Sequence, residues 1–536
     1  MAPHHRIRAL AAVLLLGLGI GCEQILGLDA SFNTSILTGD TTCTENAEES
    51  CYSADPATLG VGVCKAGKRT CENGVWGACF GEVVPTYETC SGQDVDCNGE
   101  VTCASEFAWG KSFGGSADDS VGKIVVDLKD NLFVLGNFSS PEIDLGGGPM
   151  TNVGAQDFYL AKLDPSGKHL RSYSFGGMGN DSGRFMAVYP AGNVQITAHF
   201  EQTMAFGDTM YEVPQGRQGL LLAKFGPNGE SLGSTAFFAQ GFGTRRVVFD
   251  AAGDLIFVVT FTGQVDFGGG IYGSQNDTPV AIVKYSGTTG AHQWTRVFNG
   301  AQINSAMVDI DPSGNIGLAG TYSGKLNFGG SVLESVGNDI YVAKLSPSGQ
   351  HLWSTKIGGM KDETLEDFVI NKAGNWIVLG SWYNQMADGT TTSVGAETFT
   401  AHGQSDMFLA QYDNDGAFVW AKDLGSVGSE YNGGLTVDST DDIIVSGTSN
   451  SADTDLGFGK LGTAGLFVLK YDSSGLRLWM RNSSAAANNG VNGGQLATDS
   501  YRAIIIGGGF QTPLSFDGFS FPSAGGWDGY VMKIAP

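Results

Sequence analysis

Residues 339–359, DIYVAKLSPSGQHLWSTKIGG, predict two β-strands joined by a tight turn. Residues 340–345 are rich in strand-forming side chains, and residues 352–357 form the return strand. Between them, Pro347 sets the φ of the turn and Gly349 is free to adopt a positive φ. The same pattern begins again at Asp157, Leu220, Val280, Met407 and Leu466, and its first half recurs from Asp528.

The repeat can be measured at one lysine position in the first of these two strands. That position is held by Lys162, Lys224, Lys284, Lys344, Gln411, Lys470 and Lys533. The interval is roughly 60 residues, which is the signature of a repeat architecture. Alternation with period two, interrupted by many of the 81 glycines, excludes helical solenoids and indicates a repeated β unit.

A full unit is predicted to contain four antiparallel strands. In the fourth copy, strands at residues 306–310 and 316–322 precede the hairpin, with a DPSGN turn between them and an NFGG loop after them. Four such strands with a Trp in the outermost one predict one blade of a β-propeller. The turn, the F-G-G loop and the D-x-(F/Y)-x-A-K-L strand are together similar to the bacterial β-propeller repeat family, from residue 107 to the end. The resemblance implies a fold and little about function.

The two ends of the repeat region are predicted to complete one blade. Residues 107–115, FAWGKSFGG, form a fourth strand with no third strand before it, and residues 528–536 form a third strand with no fourth after it. The fold class is therefore all-β, a seven-bladed β-propeller of four-stranded blades at residues 105–536, closed so that no edge is unpaired. The fourth strands, counted at the Trp position, also number seven: Trp109, Arg171, Gly233, Trp294, Trp353, Trp420 and Trp479. We expect the Trp side chains to fill space between blades.

The N-terminus predicts export. Residues 1–21 contain Arg6 and Arg8 and then an apolar run at residues 9–21, which is too short to span a membrane and is typical of a secretory signal peptide. The run ends at Cys22 and resembles a bacterial lipoprotein signal, although Gly19 stands where that pattern prefers Leu. The resemblance implies a lipidated Cys22 and an outer-membrane lipoprotein facing the periplasm or the cell surface. The residues that follow are polar and without a clear period, which predicts a lipid-anchored tether at residues 22–42. The alternative is an ordinary signal peptide followed by a chance cysteine.

All nine cysteines precede residue 104, which separates a small disulfide-rich module at residues 43–104 from the propeller. The module holds Cys43, Cys51, Cys64, Cys71, Cys79, Cys90, Cys97 and Cys103. An even number in an exported segment predicts a disulfide framework whose connectivity stays open. Zinc is the alternative, and the lack of CxxC and of His in the module disfavours it. Residues 60–100 are similar to a cysteine-rich module of exported bacterial proteins that is described as metal-binding.

A candidate calcium loop lies in this module. Asp94, Asp96, Asn98 and Glu100 follow the D-x-D-x-N-G spacing that brings alternate side-chain oxygens to one cation. The twelfth position of such a loop should be Glu but is Ser105. An Asx-rich turn held by the neighbouring cysteines is the alternative interpretation.

A second candidate site is a ring of oxygen-bearing residues that follow the fourth strands. Asp119, Asp181, Glu363 and Glu430 occupy the same position in four units. The connection there runs from the outer strand of one blade to the inner strand of the next, so these side chains are predicted on one face, near the channel. They either cap backbone amides, in which case Asp119→Asn should be nearly silent, or converge on a cation such as Ca²⁺.

The net charge and the absence of catalytic motifs restrict the classes of function that the sequence supports. A net charge of −25 argues against binding to nucleic acid. The sequence lacks a G-x-S-x-G elbow, and His169, His292 and His351 are repeat positions, so a non-catalytic role is favoured. We expect a monomeric binding or scaffolding lipoprotein of the cell envelope, held at the membrane by its N-terminal lipid, that presents one propeller face to a protein or glycan. The alternatives are an enzyme acting on a carbohydrate or other envelope polymer at the channel, and a structural spacer.

Overall fold

A computed structural model of the chain describes residues 43–52, 58–72, 74–84, 93–94, 109–189, 192–273, 278–359, 362–383, 391–485 and 490–536. These residues form strands and turns and contain no α-helix, so the all-β prediction is confirmed. The described residues fall into two compact bodies, one formed by those up to residue 60 and those at 64–84, the other by those at 61–63 and after residue 84. Within the described ranges, no helix has the length and apolar character needed to cross a bilayer.

The smaller body is a three-stranded antiparallel sheet made of Glu48–Cys51, Gly67–Glu72 and Val75–Trp76. Disulfides join Cys43 to Cys71 and Cys51 to Cys79, and Cys64 is disulfide-bonded as well. These five cysteines are therefore not available as zinc thiolates. Cys90, Cys97 and Cys103 lie outside the described residues.

The larger body repeats one sheet in which four strands pair antiparallel in chain order. Sheet 1 contains Asp119–Val126, Leu132–Phe138, Asp157–Leu163 and His169–Phe175. Sheet 2 contains Ser182–Val188, Val194–Phe200, Gln218–Phe225 and Ser231–Ala239. Sheet 3 contains Gly241–Phe249, Leu255–Thr262, Val280–Tyr285 and His292–Phe298. Sheet 4 contains Met307–Ile310, Ile316–Leu326, Asp339–Leu345 and His351–Ile357, with Ala301–Ile303 also paired to its second strand.

The remaining sheets follow the same order, and sheet 7 takes its fourth strand from the beginning of the repeat region. Sheet 5 contains Asp362–Ile370, Trp376–Tyr383, Ser405–Tyr412 and Phe418–Asp423. Sheet 6 contains Glu430–Val437, Ile443–Ser449, Gly465–Tyr471 and Arg477–Ala485. Sheet 7 contains Gln495–Thr498, Ile504–Phe510, Asp528–Ile534 and Trp109–Phe113. Trp109 pairs with Lys533 and Phe113 with Gly529, so the predicted junction of the two chain ends is confirmed.

The sheets follow one another in a closed cycle. The first strand of each sheet contacts the first strand of the next, and that of sheet 7 contacts that of sheet 1. The core lies between neighbouring sheets because alternate side chains of every strand face an adjacent sheet. Ile505 and Val531 of sheet 7 pack against Ile124 and Val134 of sheet 1 in one buried cluster, so the cycle is closed by apolar packing as well as by strand pairing.

The two ends of each sheet differ in their connections. At one end, the turns between strands 1 and 2 and between strands 3 and 4 are short, and most repeat one geometry, in which Asp127 N donates to Asn131 O at 2.9 Å and Asp164 N to Lys168 O at 2.9 Å. The turn between strands 3 and 4 of sheet 3 is one residue longer, because Ser286 N donates to Ala291 O at 2.8 Å. At the other end, the connections between strands 2 and 3 carry additional short strands. These are Glu142–Asp144 with Pro149–Thr151, Thr203–Phe206 with Thr209–Glu212, Val265–Asp266 with Ile271–Tyr272, Leu333–Glu334, Thr391–Val394 with Glu397–Thr400, and Leu514–Phe516 with Phe519–Phe521.

Candidate functional site

The predicted ring carboxylates lie at the junctions where the chain passes from one sheet to the next, and Asp119 shows their geometry. One oxygen, Oδ2, accepts hydrogen bonds from Gly115 N and from Ser140 Oγ, both at 2.7 Å. The other, Oδ1, accepts from the backbone N–H groups of Ser139 and Ser140, both at 3.2 Å. Asp119 is buried, and it fastens the incoming connection to the end of the second strand of its own sheet.

The other three ring carboxylates have the same arrangement. Each accepts a hydrogen bond from the backbone N–H four residues earlier and at least one more from the second strand's end or the segment after it. The donors are Gly177 and Glu201 for Asp181, Gly359 and Thr392 for Glu363, and Ser426, Ser449 and Thr454 for Glu430. The bonds from backbone N–H groups are those that the capping interpretation expects, and the hydroxyl groups of Thr392, Ser449 and Thr454 donate in addition.

A second set of carboxylates, which the sequence analysis did not identify, starts the third strands. Asp157 accepts from Val153 N at 2.8 Å, Asp406 from His402 N at 2.8 Å and Asp528 from Ala524 N at 2.7 Å. These bonds again reach back four residues. The sequence signal is a carboxylate that lies 24 residues before the ring carboxylate of the next unit, as in Asp157 and Asp181 or Asp339 and Glu363.

The two sets meet in pairs across the junctions, and Asp339 with Glu363 is the clearest example. A Cβ built on Gly358 would lie 2.5 Å from Asp339 Oδ1 and 2.6 Å from Glu363 Oε2, so both oxygens face one point. Lys356 Nζ donates to the other oxygen of Asp339 at 2.8 Å. Asp339 Oδ1 is buried and has no hydrogen-bond partner among the described residues, so a proton shared with Glu363 would satisfy it.

Burial dominates the electrostatics of these junctions. Desolvation raises the pKa of Asp181 to about 6 and that of Glu430 to about 7, although both carboxylates accept hydrogen bonds that act in the opposite direction. Desolvation likewise raises the pKa of Asp406 to about 6 and, with the nearby charge of Asp339, raises that of Glu363. The buried carboxyl groups at the junctions therefore bind their protons more tightly than carboxyl groups in water do.

The structure does not bring the four ring carboxylates together. Each is held within its own sheet, and among the described residues no group of three or more His, Cys, Asp or Glu side chains is arranged to hold a metal ion. Calcium binding by Asp119, Asp181, Glu363 and Glu430 stays a prediction. In the candidate calcium loop only Asp94 is described, buried, with its backbone carbonyl accepting from Val63 N at 2.9 Å. Asp96, Asn98, Glu100 and Cys22 lie outside the described residues.

The lysines that define the repeat are paired with the aspartates of the first turns. Asp311 Oδ1 caps Ser313 N and Asn315 N at 2.9 and 2.7 Å, while its Oδ2 lies 2.8 Å from Lys344 Nζ. The same pairing joins Lys162 to Asp127, Lys284 to Asp250, Lys470 to Asp438 and Lys533 to Asp499. The turn aspartate thus caps its own backbone with one oxygen, and its other oxygen neutralises a buried ammonium.

The lysine and the Trp of one sheet together bind a carbonyl of the next sheet. Lys344 Nζ and Trp353 Nε1 both donate to Asn414 O, at 3.1 and 3.2 Å. At the closing junction, Lys533 Nζ and Trp109 Nε1 both donate to Pro165 O, at 3.3 and 3.0 Å. Trp353 and Trp109 therefore link adjacent sheets, as expected from the sequence, and each adds a specific hydrogen bond to the packing.

No model of a known protein family matches the chain. The chain is 22% identical over 492 residues to an uncharacterised WD repeat-containing protein of Acanthamoeba polyphaga mimivirus; the match covers 80% of this chain but about a third (32%) of that relative's length.

Solved structures with similar chains include the Dos1 propeller, at 8% identity and a TM-score of 0.40, with 80% of this chain and 96% of that chain covered. The Pan2 WD40 domain of Neurospora crassa is similar at 9% identity and a TM-score of 0.39, with 78% and 90% covered. The cyclic series of four-stranded antiparallel sheets makes this chain β-propeller-like.

Proposed function

We propose that the chain is a non-catalytic binding scaffold: a seven-bladed propeller that presents the end carrying the connections between strands 2 and 3 to a partner protein or glycan. Two features of the described residues support this role. The cycle of sheets is closed by strand pairing and by apolar packing, which makes a rigid platform. The buried charges of its junctions and first turns are used to hold the platform together.

The observation that carries the proposal is the difference between the two ends of the sheets. The turn end mostly repeats one tight geometry, so it offers little that could distinguish one partner from another. The opposite end carries additional short strands that differ in length and sequence, and variable loops on a rigid scaffold are the usual place for recognition. Their exposed apolar side chains include Met210 at 67%, Val336 at 57% and Ile271 at 71% of full exposure.

Cross-linking in the intact envelope can test which end binds. A photo-reactive amino acid placed at Met210 or Val336 would probe the connection end of sheets 2 and 4. The matched controls are Asn228 and Ser348, which are exposed at the turn end of the same two sheets. We expect specific cross-linked products from the first pair only. Products of equal yield from both ends, or from the turn end alone, would contradict the proposal.

The proposal includes export and anchoring at the outer membrane through a lipid on Cys22. It is supported by the apolar run that precedes Cys22 and by the disulfides of the smaller body, which suit an oxidising compartment. More than one acyl chain is needed for stable anchoring, and a lipoprotein-type modification supplies several. We expect Cys22→Ser to move the protein from the membrane fraction to the soluble fraction. Unchanged membrane association of this variant would remove the anchor from the proposal.

A further inference from the structure

The repeat is broken at two positions on one junction, between sheets 2 and 3. Gly233 occupies the Trp position of the fourth strand, and Tyr189 occupies the Asp position of the first turn. Two backbone hydrogen bonds of the first turns are kept, because Tyr189 N donates to Asn193 O at 2.8 Å and Gly192 N to Tyr189 O at 2.7 Å. What this junction lacks is the Trp side chain of the fourth strand and the Asp side chain of the first turn.

The first consequence concerns Lys224, the repeat lysine of sheet 2. Its counterparts Lys284 and Lys344 lie 2.7 and 2.8 Å from the carboxylate of their turn aspartates. Lys224 has no carboxylate within ion-pairing distance in the described part of the chain, and its Nζ donates to Gly287 O at 3.4 Å. A half-buried ammonium is thus held at the junction without the negative charge that neutralises it elsewhere.

The second consequence is an open space where the indole ring would be. A Cβ built on Gly416 would lie 2.8 Å from the Trp353 ring, whereas a Cβ on the equivalent Gly290 would meet nothing within 4 Å. A cavity of about 800 Å³ occupies this junction. Its lining includes Lys224, Gly233, Phe249, Tyr285, Gly287 and Gly290. The lining also includes Asp266, whose Oδ1 is already engaged by the N–H groups of Gly268 and Gly270.

The neighbouring junction shows what the loss of Trp alone does. Between sheets 1 and 2 the Trp position is Arg171, and a smaller cavity of about 480 Å³ is found there. Lys162 in that cavity is still neutralised by Asp127, at 3.0 Å. The repeat lysine of that cavity therefore keeps its turn aspartate, whereas the cavity at the next junction contains a repeat lysine that lacks one.

We propose that the cavity at Lys224 binds a small aromatic carboxylate, a molecule that supplies the two missing groups together. Its planar ring lies between Gly233 and Gly290, in the space that Trp fills at other junctions. Its carboxylate pairs with Lys224, as the turn aspartate does in other sheets. A ring N–H can donate to Gly287 O, as Trp353 Nε1 donates to Asn414 O. Charge-assisted hydrogen bonds and a mostly buried ring are the usual basis of such sites.

Calorimetry on the full chain can test the proposal with indole-3-propionate, which carries an indole ring and a carboxylate. Two partial ligands serve as controls, 3-methylindole without the carboxylate and propionate without the ring. We expect indole-3-propionate to bind at least about tenfold more tightly than either, because each lacks one of the two recognised groups.

Four variants locate the binding. Lys224→Met removes the charge and keeps the length of the side chain, and we expect it to weaken binding by about tenfold or more. Tyr189→Asp restores the internal partner of Lys224 and should weaken binding as strongly, while Tyr189→Asn removes the same ring without adding charge and should retain it. Lys168→Met, at an exposed lysine of sheet 1, should change nothing.

Folding is checked by the melting temperature of each variant, and the internal ion pair of Tyr189→Asp keeps that variant folded while it competes with the ligand. Three results would overturn the proposal. They are the absence of binding to the unmodified chain at millimolar indole-3-propionate, equal binding of 3-methylindole, and equal affinity of the Tyr189→Asp and Tyr189→Asn variants.

Discussion

Asp119 accepts hydrogen bonds on both of its carboxylate oxygens, so the amide group of Asn cannot replace all of its interactions. Gly115 N and Ser140 Oγ donate to Oδ2, while two backbone N–H groups donate to Oδ1. An Asn at this position places an NH₂ group against at least one donor. We therefore expect Asp119→Asn to reduce the free energy of unfolding by about 1–3 kcal/mol, because a buried donor loses its acceptor. The sequence alone suggested a nearly silent change, since it did not show that both oxygens are used.

Asp164 provides the matched control for this prediction. Its Oδ1 accepts from Ser166 N and Lys168 N, both at 2.9 Å, in an exposed turn. Asn can make these bonds with its carbonyl oxygen, so Asp164→Asn should change the free energy of unfolding by less than about 0.5 kcal/mol. Denaturant unfolding at pH 7 measures both variants. Equal effects of the two substitutions would show that the second oxygen of Asp119 contributes nothing.

Glu430 makes the stability of the protein depend on pH in a defined direction. Burial raises its pKa from 4.5 to about 7, so the folded protein binds this proton more tightly than the unfolded chain. The contribution is present below about pH 4.5 and is lost as the pH rises towards 7. Between pH 5 and pH 8 the unmodified protein should therefore lose about 2 kcal/mol more stability than Glu430→Gln, which cannot ionise.

Denaturant unfolding of both proteins across this pH range tests the prediction, with Glu397→Gln at an exposed position as the control. The Gln side chain retains an oxygen for the hydroxyl groups of Ser449 and Thr454, which donate to Glu430 Oε1 at 3.0 Å. Parallel pH profiles for the Glu430→Gln variant and the unmodified protein would mean that Glu430 is ionised in the folded state throughout.

At the scale of the strand and the turn, Trp353 in the fourth strand of sheet 4 acts through both its ring and its N–H. Trp353 packs over the turn glycine Gly416 of the next sheet and donates to Asn414 O at 3.2 Å. Trp353→Phe keeps most of the packing and loses the donor, so we expect a loss of about 1 kcal/mol. Trp353→Ala also opens a cavity and should cost about 3 kcal/mol.

The neighbouring Leu352 is 49% exposed and is the natural control. Leu352→Ala should change the free energy of unfolding by about 0.5 kcal/mol or less, because its side chain is only half removed from water. Thermal or denaturant unfolding of the three variants would rank their losses of stability. A Trp353→Ala variant as stable as Leu352→Ala would mean that the ring does not link the two sheets.

The long strands were predictable from the sequence because alternation and turn chemistry are local. Residues 339–359 gave both strands of a hairpin, and the structure places them at Asp339–Leu345 and His351–Ile357. The additional short strands between strands 2 and 3 were not predicted. They contain two to four residues, as in Val265–Asp266 and Thr209–Glu212, which is too short for a periodic pattern to appear.

In the candidate site, too, the sequence predicted local features but not contacts between sheets. Asp119, Asp181, Glu363 and Glu430 were found because each follows a recognisable strand. Their partners come from another sheet. Asp339 lies 24 residues before Glu363, a regular spacing, but only the structure shows that the two carboxylates meet. The cavity at Lys224 could have been foreseen, since Tyr189 and Gly233 both depart from the repeat, but only the structure shows that the two departures meet at one junction.

At the scale of the whole molecule, five residues near the beginning of the repeat region, Trp109–Phe113, complete the last sheet. They cover the edge of Asp528–Ile534, and Trp109 also donates to Pro165 O of sheet 1 at 3.0 Å. Their removal would leave sheet 7 with three strands and an unpaired edge. The closing strand therefore contributes backbone pairing, apolar packing and the link between the last sheet and the first.

Two truncations separate this contribution from that of the N-terminal segment. A chain that begins after residue 105 keeps the closing strand, and a chain that begins after residue 115 lacks it. We expect the shorter chain to melt at least about 5 °C lower, because an opened ring loses several kcal/mol of interactions at once. A synthetic peptide of residues 106–115 should recover part of that difference by pairing with Asp528–Ile534 in the register Trp109 to Lys533. Equal melting temperatures for the two chains would show that the ring does not depend on this strand. Recovery by a scrambled peptide would show that the effect is not one of register.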